Sequence, residues 1–172
     1  MVSAFAMLLL TFMTDFAKIS LATDHLRSSK APESRNIGGY IRVAVVLGLA
    51  MVAEAMLLLW LGWSRFVLAA NDDALHTFSF LAQLYLAAFS VVSARERGAF
   101  WATLPSRTLM GALAGEAVVG TLLATVGLPS LPPLPGWQVA AVFAYAAVAC
   151  LVVNDAIKVT MIKRLQHSRG MP

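Results

Sequence analysis

Two opposite charges, Asp15 and Lys18, stand in the second half of an apolar run, AFAMLLLTFMTDFAKISLATD, that closes on a further acid at Asp24. A spacing of three residues puts Asp15 and Lys18 on neighbouring positions of one helical face, where they can neutralise each other. An ionisable side chain in the hydrocarbon core of a membrane is expensive, so a carboxylate held there points first to a proton or cation site. The other reading is structural: Lys18 extends its stem toward an interface and Asp15 merely pairs with it. Both readings stand on the sequence alone.

Two more carboxylates, Glu54 and Glu116, lie deep in apolar runs with no opposite charge within four residues along the chain. Each must be protonated, hydrogen-bonded across helices, or turned toward water or a partner that completes it. With Asp15 they make up the candidate ion-binding residues, and Lys18 is the charge partner. Asp155 and Lys158 repeat the three-residue spacing at the end of the last apolar run, where a structural pair is expected. Cys150, the single cysteine, sits among apolar residues and reads as a small core side chain, which excludes an internal disulfide. His25, His76 and His167 are too scattered for a metal-ligand cluster. Glycine-rich phosphate loops, nucleophiles beside a base, and basic grooves interleaved with aromatics are all missing, so no cofactor, metal or nucleic-acid partner is expected.

The elements that must hold these charges are helices in a bilayer. Of the 172 residues, 59% are hydrophobic and 13% charged, against about a quarter charged in soluble domains. Crossing a hydrocarbon core of about 30 Å takes about 20 helical residues. Five stretches meet that length: 2–22, 40–62, 76–94, 108–127 and 137–157. Barrel strands would alternate in hydropathy, and these stretches do not. The fold class expected is all-α, a single membrane domain over 1–172 built as a bundle of five transmembrane helices. The first of them has no basic lead-in and outlasts a cleavable signal's apolar core, so it is expected to stay. GLPSLPPLPGW, from Gly127 to Trp137, has four prolines and no charge, which predicts a stiff extended crossing. Gly111 with Gly115, and Ala140 with Ala144, form small-residue faces that would permit close helix approach.

Basic residues set the topology. Arg27, Lys30, Arg35 and Arg42 flank the first connection, Arg95, Arg97 and Arg107 the third, and Lys158, Lys163, Arg164 and Arg169 the tail; the opposite side has only Arg65. That asymmetry predicts the amino terminus outside and the carboxyl terminus cytoplasmic. Trp60, Trp63, Trp101 and Trp137 fall near the expected interfaces. No internal repeat is present, so a complete inverted-repeat transporter is not expected.

The stretch TDFAKISLATDHLRSSKAP, Thr14 to Pro32, resembles the sixth transmembrane helix and following cytoplasmic loop of P-type cation-transporting ATPases, most closely the plasma-membrane proton-pumping branch. Asp15 matches the aspartate of that helix, Ser20 and Asp24 match later positions, and Arg27 begins the basic loop. HTFSFLAQLYLAAFSVVSARERGAFW is similar to the eighth helix and its exit, and GWQVAAVFAYAAVACLVVNDAIKVTMIKRL to the tenth. The resemblance implies helices six to ten of the family and a proton-binding ancestry for Asp15. This chain departs from the pattern at Thr14, where the family has asparagine, and at Lys18, which adds a cation one turn away. Helices four and five and the motifs DKTGT, TGE and GDGxND are not in the sequence.

The function expected is therefore a stand-alone carboxyl-terminal membrane support domain, a split-pump subunit or a truncated relic, with no ATP hydrolysis of its own. Its partners would be the lipid bilayer of the plasma (inner) membrane and a separate catalytic chain, or further copies of itself. The alternatives are a small oligomeric protein conducting protons or cations through Asp15, Glu54 or Glu116, and an accessory regulator of a pump.

Overall fold

From Thr77 to Leu86 every residue except Gln83 is buried, and a helix apolar all round belongs at the centre of its bundle. The computed structural model, which describes residues 4–22, 37–66, 72–96, 98–128 and 131–167, places that helix there. The described chain is all-helical, and five of its segments are long and apolar enough to cross a membrane. It is an integral membrane protein. In chain order the elements are α1 (Ala4–Ala22), α2 (Ile37–Arg65), α3 (Asp72–Arg95), α4 (Arg107–Val126) and α5 (Gly136–Val148). A π-helical segment (Ala149–Asn154) joins α5 without a break to α6 (Asp155–His167).

Helix α3 touches all the others that surround it: α1, α2, α4, α5 and the π segment. Its fully buried side chains include Phe78, Phe80, Leu81, Leu84 and Tyr85. Edge-to-face ring contacts extend this core. Phe66 meets both Phe78 and Trp137, and Phe143 meets both Tyr85 and Phe89, an arrangement that aromatic quadrupoles favour over face-to-face stacking. The Tyr85 hydroxyl shares a 2.6 Å hydrogen bond with that of Thr121 on α4. Helix α2 is the most peripheral, with Leu49, Val52, Met56, Trp60 and Trp63 exposed along it. Trp101 and Trp137 are exposed as well.

Two packing expectations are corrected. An added Cβ on Gly111 or Gly115 would meet nothing within 4 Å, and Ala140 and Ala144 are exposed, so neither small-residue face packs on a helix here. Close approach happens at other glycines. The Phe78 ring lies 2.6 Å from where a Cβ on Gly62 would stand, and Leu84 packs onto Gly120. Glycine spacing alone does not say which face a neighbour uses; the bulky residue opposite decides.

The proline segment also differs from the extended crossing expected. Gly127 adopts φ 84°, Leu128 and Leu131 exchange backbone hydrogen bonds of 2.7 and 2.9 Å, and the Leu134 amide returns to the Ala124 carbonyl at 2.7 Å. A side chain at Gly127 would collide with Pro133, so only glycine permits this reversal. Thr77 then ties the turn to α3 by donating to the Pro132 carbonyl at 2.8 Å.

The last helix runs past the expected limit of 157 to His167. Residues 155–165 contain polar side chains but no glycine or proline, so hydropathy falls while the helix continues. Asp24, His25, Arg27, Lys30, Arg35, Arg97 and Arg169 lie outside the described residues.

Candidate membrane-embedded ion site

Helix α1 turns one stripe, Ala6, Met13, Ala17 and Ser20, into the bundle and packs on α3 and α4. Asp15 is on the opposite side. It shares the outward stripe with the exposed Leu8, Phe12 and Ile19, at the three- and four-residue spacing of one helical face. Its carboxylate accepts a hydrogen bond from Lys18 Nζ at 3.0 Å, and the two side chains are 52% and 64% exposed. The pair predicted from spacing is thus formed, on a face that the described bundle leaves uncovered. The hydroxyls of Thr11 and Thr14 are turned back to the Met7 and Thr11 carbonyls of their own helix, so they bring no inward ligand to Asp15.

One carboxylate on an open face cannot enclose an ion. Metal cations are held by several oxygens at once, and a proton route needs acceptors on both sides of the carrier. Any site at Asp15 is completed by groups beyond the described bundle.

Neither Glu54 nor Glu116 is hydrogen-bonded to Asp15. Glu54, on α2, accepts from Asn154 Nδ2 at 2.8 Å, and its backbone carbonyl accepts from the Tyr145 hydroxyl at 2.9 Å. This is the cross-helix hydrogen bond that the sequence left as one of several options. Asn154 closes the π-helical segment; a wider turn re-aims side chains relative to an α-helix, and such segments recur at polar sites inside helices. Just before it, Cys150 is buried and donates weakly to the Leu86 carbonyl at 3.5 Å.

Glu116, on α4, is 6% exposed, and neither carboxylate oxygen has a hydrogen-bond partner among the described residues. Among the described residues, Lys18 supplies a charge that acts on it. Glu116 continues the buried stripe Leu109, Leu113, Glu116 and Gly120, one turn beyond the cluster that Leu109 and Leu113 form with Ala17 and Ala88.

Asp155 and Lys158 form a deeper pair than an interfacial one. They meet at 2.6 Å with both side chains 4% exposed. Lys158 also donates to the Ser93 carbonyl at 2.5 Å, while the Phe100 amide donates to Asp155 Oδ2 at 3.2 Å and Ser93 Oγ to Oδ1 at 3.4 Å. Beside them the Arg95 guanidinium donates to the backbone carbonyls of Thr103 and Leu104, and Thr103 Oγ1 donates to Glu96 at 2.6 Å. The bonds of Asp155 and Lys158 to Ser93 and Phe100 fasten α3 and the α3–α4 connection to the last helix, and every polar atom of the ion pair is engaged, the condition for burying charge.

Sequence reasoning missed Asn154, Ser93 and Thr103. Asn154 carried a readable signal, a carboxamide within an apolar run. Ser93 and Thr103 carried none, since small hydroxyl residues are common in such helices and only the fold shows what they face.

No protein-family model matches the chain. It is 25% identical over 166 residues to a Methanocaldococcus jannaschii protein provisionally named a cation-transporting ATPase, MJ1226, in a match that takes in 96% of this chain. The chain spans about a fifth of that relative's length, 20%.

Proposed function

We propose that these residues form the carboxyl-terminal membrane support domain of a P-type cation pump, nearest the proton-pumping branch, and that Asp15 contributes one carboxylate to a transport site completed by other helices. The observation that carries this reading is the placement of Asp15. The resemblance of Thr14–Pro32 implies a transport site that helices four and five would complete, and here Asp15 stands on the α1 face turned away from its own bundle. The similarity to a protein named as a cation-transporting ATPase, over nearly the whole of this chain, supports the same reading.

In this role the bundle does no phosphoryl chemistry. Its residues contain no DKTGT motif, so ATP hydrolysis belongs to residues outside them, and the bundle's work is to hold α1 rigid against that part. The fastening of α1 to α3 and α4, and of α3 to the last helix through Asp155 and Lys158, suits such a brace. In this reading the bundle lies in the plasma membrane, and the excess of Lys and Arg in its first and third connections and its tail supports a cytoplasmic carboxyl terminus.

The test is biochemical. Gentle solubilisation of the native membrane followed by capture of this protein, with radiolabelled ATP added, is expected to bring down an acid-stable, hydroxylamine-sensitive acyl phosphate. Proton or cation dependence of its turnover then identifies the ion. Capture of the intact bundle with no phosphorylated polypeptide, on this chain or beside it, would sink the proposal.

A further inference from the structure

The Asp15–Lys18 pair and the buried carboxyl of Glu116 stand on two helices that pack together, α1 and α4. Lys18 is bonded to Asp15 at 3.0 Å, while Glu116, more than nine-tenths buried, has neither oxygen hydrogen-bonded among the described residues. Lys18 directly follows Ala17, which shares a buried cluster with Leu109 and Leu113, and Glu116 is one turn further along that same α4 stripe. Helix α3, which completes this corner, has no charged side chain between His76 and Arg95, so Lys18 is the cation at hand. Packed helices lie about 8–10 Å apart, and the flexible four-carbon stem of a lysine reaches across part of such a gap.

We propose that Asp15, Lys18 and Glu116 are one ion site in which a single lysine serves two carboxylates, so that a proton or monovalent cation taken up at Asp15 releases Lys18 to Glu116. The bonding favours this exchange. Asp15 already has its cation, whereas Glu116 is buried with no hydrogen-bond partner among the described residues, so a lysine set free at Asp15 has a second acceptor to go to. Occupation of Asp15 from the open face then moves the lysine to the inner carboxylate, which ties α1 to α4 only in the loaded state. Loading is thereby reported to the bundle as a new interhelical bond. As a device for ion transport this rests on the pump reading above, whereas the charge exchange itself needs only α1 and α4.

The exchange is tested on the purified protein in detergent, with Asp15→Asn as the mimic of a neutralised Asp15. Carbodiimide coupling read by mass spectrometry is expected to join Lys18 to Glu116 several-fold more in Asp15→Asn than in the unaltered protein. Thermal unfolding gives the second readout: Glu116→Gln lowers Tm in the Asp15→Asn background but not in the unaltered protein, and Lys18→Met abolishes that difference. Titration with potassium or sodium chloride at fixed pH, and with acid at fixed salt, shows which cation drives the coupling in the unaltered protein. Equal coupling with aspartate or asparagine at 15, or a Glu116→Gln effect that ignores residue 15, would overturn the exchange. Either result leaves the phosphoenzyme capture experiment unaffected, and a failed capture leaves this one standing.

Discussion

Asn154 on the π-helical segment donates its amide hydrogen to Glu54 Oε2 across the boundary with α2, at 2.8 Å, over a sequence separation of 100 residues. Helix α2 is otherwise the most lipid-exposed of the five, and its contact with the last helix is modest beside the α3 contacts. A directed bond therefore matters more there than in the middle of the core. Replacing Asn154 with leucine strands the Glu54 carboxyl, at a cost of about 1–3 kcal/mol. Thermal unfolding in detergent should show that loss for Asn154→Leu and a substantial recovery in the double variant Glu54→Leu/Asn154→Leu. Equal losses in both proteins would mean that the bond does not couple the helices.

Lys158 presents the sharper case. Removing one partner of a buried ion pair leaves the other charge uncompensated, at about 3–5 kcal/mol, and Asp155 is as buried as Lys158. Lys158→Met is expected to cost an amount in that range. Asp155→Leu/Lys158→Met should recover much of it, since two apolar side chains bury there without desolvating a charge. Chemical denaturation of the three proteins measures both effects.

Much of this architecture was legible beforehand because bilayer physics writes it in plain hydropathy. Five apolar runs of spanning length, the Asp15–Lys18 and Asp155–Lys158 spacings, and the burial of Cys150 all follow from composition and a 3.6-residue period. What was not legible depends on partners across the fold. Nothing local marks Gly62 and Gly120, rather than Gly111 and Gly115, as the contact glycines, because Phe78 and Leu84 make the difference from another helix. The π turn that aims Asn154 at Glu54 has no sequence signature either, and the reversal at Gly127 was hidden by prolines that argue for extension.

The glycine contrast is itself testable. In a helix interior, alanine in place of glycine favours the helix by about 0.5–1 kcal/mol where space allows. Gly115→Ala, whose added methyl meets nothing within 4 Å, should leave Tm unchanged or raise it. Gly62→Ala pushes a methyl into the fully buried Phe78 ring, and overpacking of that kind costs about 1–3 kcal/mol. Opposite shifts from the same chemical change would locate the α2–α3 contact at Gly62. Two similar shifts would contradict it.

Orientation can be read with the protein's single cysteine as a quiet background. Cys150 is fully buried, so added thiols dominate labelling. Ala102→Cys, in the connection flanked by Arg95 and Arg107, should react with an impermeant maleimide only from the cytoplasmic side. Ser64→Cys, at the opposite end of the bundle, should react only from outside. The reverse pattern would overturn the topology drawn from the basic residues.

Asp15 separates a structural charge from a functional one. Its pair with Lys18 is half exposed, and exposed pairs contribute little to stability. Asp15→Asn is therefore expected not to lower the detergent Tm of the bundle, and to raise it where the released Lys18 bonds Glu116. If the chain is part of the pump proposed above, the same substitution removes the one carboxylate that α1 turns outward, and ion-dependent turnover of the acyl phosphate should fall to background while its formation from ATP persists. A mutant that unfolds would show Asp15 to be a structural residue. A mutant that folds and transports at the normal rate would show that the ion path runs elsewhere. Folding with loss of transport is the outcome that an outward, half-completed site requires, because the asparagine keeps the shape of the face and loses only its charge.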